Sequence, residues 1–122
     1  AFSGTARILA PLTYDRTAFD SSFTSYLPRG APKSVSRGLE AAISLVSLDG
    51  ARTDARKVFL LLTEGKQTES LGGDKEAIRV ATIAKASGVS IIAAGLGLYC
   101  NTLAGNIQHT CAEPLPWHSL VD

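Results

Sequence analysis

Residues 57–70, KVFLLLTEGKQTES, decide how the rest of the chain is read. Val58 to Leu62 is a continuous apolar run without the alternation of a half-exposed strand. Such a run suits a central parallel strand covered on both faces. It stops at Thr63, Glu64 and Gly65, which places a carboxylate at the strand's open carboxyl end. Three roles are open to Glu64 on position alone: a metal or ligand contact, a catalytic base, or the solvated end of a strand.

Working outward, the flanking segments alternate between helical and strand-like patterns. On the amino side, Thr5 to Leu12 (TARILAPL) reads as a short strand closed by Pro11. Thr17 to Leu27 places Phe19, Phe23, Tyr26 and Leu27 on one helical face, with Thr17 and Asp20 as a capping signal. LPRGAPKS is a loop, because two prolines and a glycine break regular structure. Val35 to Leu48 aligns Leu39, Ala42, Ile43 and Val46 on one stripe, the pattern of a second amphipathic helix. DGARTDARK is a charged turn.

On the carboxyl side, GKQTESLGGD is a loop and Asp74 is the expected N-cap of a helix over Lys75 to Ser87. Ala77, Val80, Ala81 and Ala84 line its inner face, and Gly88 stops it. Val89 to Gly97 (VSIIAAGLG) is a second buried strand, and a short strand is expected at His118 to Val121. Helices alternating with buried strands give an α/β fold: an open, doubly wound, mostly parallel sheet with helices on both faces. The functional crevice of such a sheet lies beyond the carboxyl ends of its strands, where Glu64 and the loop after Gly95 and Gly97 fall.

Composition fits one soluble domain over 1–122. The apolar fraction is 45%, the charged fraction 19%, and twelve basic against eleven acidic residues leave a net charge of +1. No basic stripe points to nucleic acid, and no apolar run is long enough to span a bilayer. The opening AFSGTARILA has no charged leader before an apolar block, so residue 1 is expected to be a mature or internal start. Cys100 and Cys111 have ten residues between them, in a loop-like region. The pair suits one local disulfide and an oxidising, extracellular compartment, although two buried thiols would give the same count.

The chain offers little to a catalyst. Gly95 to Gly97 lacks the third glycine of a dinucleotide fingerprint, and no Gly-Lys-Ser/Thr ending marks a phosphate loop. There is no Gly-x-Ser-x-Gly elbow. His109 and His118 have no acid partner at suggestive spacing, and the histidines, cysteines and carboxylates show no zinc-ligand spacing. The residues read as those of a protein that is not an enzyme.

KVFLLLTEGKQTES resembles the strand and loop of von Willebrand factor A domains, where a hydrophobic strand ends in Thr-Asp-Gly. Phe2-Ser3 with ARILAPLT resembles the family's second and third strands. SRGLEAAISLV resembles the helix after its metal-site threonine loop, ASGVSIIAAGLG is similar to a later strand, and CAEPLPWHSLVD resembles the tail of matrix-type members. The series runs in family order over nearly the whole chain.

The resemblance implies a metal site joining an Asp-x-Ser-x-Ser loop, a threonine from a second loop and an aspartate from a third. This chain has no Asp-x-Ser-x-Ser; the DSS at Asp20 lies in a predicted helix. The threonine position falls at or beside Lys33 and Ser34, and the third carboxylate is Glu64, one methylene longer than aspartate. The expectation is a degenerate site with no resident metal. Mg²⁺ or Ca²⁺ would bind, through Ser34 and Glu64, only if a missing segment completed it.

The resemblance further implies a partial domain without its first strand and its last helix. The missing strands would come from a second copy or another chain. The expected function is extracellular, secreted protein binding of the matrix or adhesion type. Its binding edge comprises Ser34, Glu64 and Gly65, and its partner is another extracellular protein. The alternative is a self-assembling structural scaffold of a matrix or filament.

Overall fold

The structure, a computed structural model, describes residues 1–24, 26, 32–48, 51–63 and 68–95. In chain order these form α1 (Arg16–Thr24), α2 (Val35–Val46), β1 (Lys57–Thr63), one turn of 3-10 helix (Glu69–Leu71), α3 (Gly73–Ala86) and β2 (Val89–Gly95). This is a Rossmann-like α/β arrangement, and its described sheet has two strands.

β1 and β2 pair in parallel, from Lys57 opposite Val89 to Thr63 opposite Gly95. Parallel neighbours need a crossover, and α3 supplies it. The helix packs on β2 and against α2, so both helices lie on one face of the sheet. The core sits between these layers. Val35 and Leu39 come from α2, Leu61 from β1, Val89 and Ile91 from β2, and a stripe from Ala77 to Ala84 comes from α3. The small residues of that stripe, Ala77, Ala81 and Ala84, let α3 approach closely, and Val80 fills the space between them.

The sequence expectations for α2, α3 and both strands hold, with shifted boundaries. α3 begins at Gly73 rather than Lys75, with Gly72 at the N-cap position in the left-handed region at φ +90°. A Cβ at Gly72 would approach the Glu76 side chain to 2.7 Å, so both backbone angle and space require glycine. Asp74 is therefore not the cap. It lies within the first turn, where a carboxylate still meets the positive end of the helix. α1 is likewise capped earlier than expected: Asp15 Oδ1 accepts from the Ala18 N–H at 3.0 Å, and the Thr17–Asp20 signal is not used.

One expectation fails. Thr5 to Leu12 forms no strand; the segment shows only an isolated antiparallel bridge between Phe2 and Ala6. A strand needs a neighbour along its length, and among the described residues the segment is paired only where Ala1 and Phe2 meet Ala6 and Arg7. The segment instead joins α2 through the Ser34 N–H donating to the Ser3 carbonyl at 2.8 Å, and through Phe2. That ring sits so close that a Cβ at Gly38 would come within 2.6 Å of it.

On β1 the described elements cover one face. Leu61 is 5% exposed but Leu60 is 63% exposed, and Val58, Leu62 and, on β2, Ile92 are also about half open. The expected strand at His118–Val121 lies outside the described residues.

Candidate functional site at the carboxyl end of the sheet

β1 ends at Thr63, which is 6% exposed, and α3 begins ten residues later, so the amino end of α3 lies at this edge. The amino end of α2 is brought to the same edge by Thr68. The Lys33 N–H donates to Thr68 Oγ1 at 2.8 Å, and the Thr68 N–H returns a bond to the Lys33 carbonyl at 2.9 Å. The Thr68 carbonyl then accepts from the N–H groups of Leu71 and Gly73, at 2.9 and 3.3 Å. One residue thus ties the start of α2 to the start of α3.

Ser34 is the N-cap of α2. Its Oγ accepts from the Arg37 N–H at 3.4 Å and lies 3.2 Å from the Ser36 hydroxyl. Serine is favoured there because its side chain satisfies an orphan amide of the first turn. Ser34 is fully buried and Ser36 nearly so, at 3% exposure. Ser34 therefore supports the edge from beneath. Glu64 and Gly65, the other two residues of the expected binding edge, lie outside the described residues, as do Gly97, Cys100 and Cys111.

Beside this edge, between the amino halves of α2 and α3, is a crevice of about 570 Å³. Its charged lining comprises Arg37 and Glu40 from α2, and Lys75, Glu76 and Arg79 from α3. Arg79 grips Glu76 with two hydrogen bonds, of 2.9 and 2.7 Å, and lies 3.9 Å from Glu40. The fork holds the Glu76 carboxyl below its ordinary range and raises Arg79 in turn. Arg37 Nη1 donates to the Gly4 carbonyl at 3.0 Å, holding the N-terminal segment against the rim.

These groups do not fit a hard divalent cation. Such an ion asks for six or more oxygen ligands, carboxylates prominent among them. The Thr68 hydroxyl oxygen is accepting from Lys33, and the Ser34 hydroxyl is sealed under the helix start it caps. No buried side-chain polar atom among the described residues lacks a hydrogen-bond partner. Nor does any group of three or more Asp, Glu, His or Cys among them converge on a point that would hold a metal.

Sequence reasoning missed Thr68 and Ser36. Thr68 stood in plain sight in KQTES, but its partner is 35 residues away and no local pattern announces that bond.

The von Willebrand factor type A domain family matches residues 1–110. The chain belongs to that family. This VWA domain accordingly has the family's Rossmann-like fold, with its amino-terminal helix ends and strand carboxyl ends at one edge. VWA domains generally mediate protein–protein interaction and adhesion, and they are commonly extracellular. Among the described residues, no helix is long and apolar enough to cross a membrane. Neither the curated proteins nor the solved structures yielded a match.

Proposed function

We propose that this VWA domain is a non-enzymatic, secreted module of the matrix or adhesion type that binds another extracellular protein without a resident metal. The contact edge is the carboxyl end of the sheet, around Ser34, Glu64, Gly65 and the loop from Gly97 onward, with Cys100 and Cys111 joined in a disulfide. The observation that carries the metal-independent reading is the state of the hydroxyls at that edge. Thr68 and Ser34 each already accept a backbone amide that helps hold α2 and α3, Ser34 is fully buried, and no cluster of ligating side chains stands beside them among the described residues.

The test is capture of purified extracellular matrix proteins by immobilised chain, with and without EDTA, for the native sequence and Glu64→Ala. Saturable binding indifferent to the chelator is expected in both. EDTA-sensitive binding abolished by Glu64→Ala would overturn the metal-independent reading. Alkylation under non-reducing conditions checks the disulfide, and two free thiols would remove the main sequence argument for secretion.

A second reading, a self-assembling scaffold, is favoured by one observation: the bare apolar face of Val58, Leu60, Leu62 and Ile92. An apolar sheet face left open by the described residues is suited to burial against a second copy or another chain. Sedimentation over a concentration series separates the readings, since ordered homopolymers formed without any other protein favour the scaffold.

A further inference from the structure

The edge of a two-layer α/β unit has to be tied together, because the loops there carry backbone groups that neither helix nor sheet satisfies. Where a divalent cation joins three loops, the ion supplies that tie. Here the two described sides of the edge are joined by a reciprocal pair of hydrogen bonds between Lys33 and Thr68, 35 residues apart. The Thr68 hydroxyl accepts on one side while its carbonyl collects the amides of Leu71 and Gly73 on the other. Directly behind it, Ser34 caps α2 and meets Ser36 in a buried hydroxyl pair.

We propose that Thr68 is the positioning residue of the binding edge, and that its clamp on Lys33 replaces the metal ion as the element that orders the edge. This rests on the metal-independent reading above and goes beyond it by naming what does the ordering. The chemistry requires a side-chain oxygen at position 68 but no ion. Valine, equal in shape, removes the acceptor and leaves the Lys33 N–H without its partner, whereas serine keeps the acceptor.

The test is amide hydrogen exchange on the full chain, comparing the native sequence with Thr68→Val and Thr68→Ser, each in millimolar Mg²⁺ and in EDTA. Thr68→Val is expected to lower protection of the Lys33 amide about tenfold, the size of one lost net hydrogen bond. The core amides of Val80 and Ile91 should keep their native protection and so report that the fold is intact. Thr68→Ser should restore most of the Lys33 protection, and Mg²⁺ and EDTA should leave all three proteins alike.

Unchanged Lys33 protection in Thr68→Val, or a serine variant as exposed as the valine one, overturns the clamp while leaving metal-independent binding standing. Mg²⁺-dependent protection at Lys33 or Ser34 overturns both. If Thr68→Val unfolds the chain outright, Thr68→Ala with Thr68→Ser decides in its place. Loss of protection at Lys33 in the former and retention in the latter support the clamp, and equal protection in the two overturns it.

Discussion

The two faces of β1 have the same chemistry and opposite fates. Phe59 and Leu61 look toward α2 and α3, while Val58, Leu60 and Leu62, interleaved with them, look toward no described element. The pleat alternates side chains whatever their polarity, so what distinguishes the faces is not the strand but what lies opposite it. An uninterrupted apolar run therefore reports how many layers a strand is suited to, and the described layers number one fewer.

The sharpest way to break this comparison is to shorten one leucine on each face. Leu61→Ala removes a side chain packed among α2, α3 and β2 and should cost about 2–5 kcal/mol, read from urea denaturation midpoints. Should it cost under about 0.5 kcal/mol, the figure typical of surface changes, the face called covered is not packed. Next in size, Ser34→Ala takes away the cap of the helix that covers that face. It should cost about 1 kcal/mol, with Ser34→Gly costing less because glycine is tolerated at a cap and adds no volume to that buried position.

Leu60→Ala, one residue from Leu61, should change stability by no more than about 0.5 kcal/mol in dilute protein. A loss as large as that of Leu61→Ala would show that the bare face is covered in solution. The smallest effect concerns the Glu76–Arg79 fork lining the crevice between α2 and α3. Because Arg79 lowers the Glu76 pKa, the contribution of the pair is fully present above the ordinary carboxylate value near 4.5 and is lost as pH falls through the lowered value. Glu76→Gln should be slightly less stable than the native protein at neutral pH and converge with it in acid, and a difference that grows toward acid would refute the assignment.

Much of the fold was legible in the sequence because burial leaves periodic traces. The Leu39–Ile43 stripe gave α2, the Ala77–Ala84 stripe gave α3, and the apolar runs gave both strands and their parallel sense. Local capping was less legible. Asp74 carries the right side chain for a cap, but Gly72 can adopt the left-handed backbone that the entry to α3 requires, and geometry outranked chemistry. TARILAPL has strand-like residues but, among those described, a neighbour only at Ala6 and Arg7, and a strand cannot be inferred from propensity where the second rail of the ladder stops so soon.

The site was the least legible part. Ser34 was singled out for its hydroxyl, yet that hydroxyl is turned to capping, while Thr68 became visible only when residues 33 and 68 were seen side by side.

The register of the sheet has a consequence for the order in which the molecule comes apart. Lys57 meets Val89 across 32 positions, and everything between them, β1, the 3-10 turn and α3, belongs to one unbroken stretch of chain that closes on itself. α2 lies outside that stretch, and Ser3, Gly4 and Phe2 hold the first residues against α2. That stretch supplies most of the buried core and is therefore the unit expected to open last. On heating, the amino-terminal segment should be the first part to come away and the β1–α3–β2 unit the last.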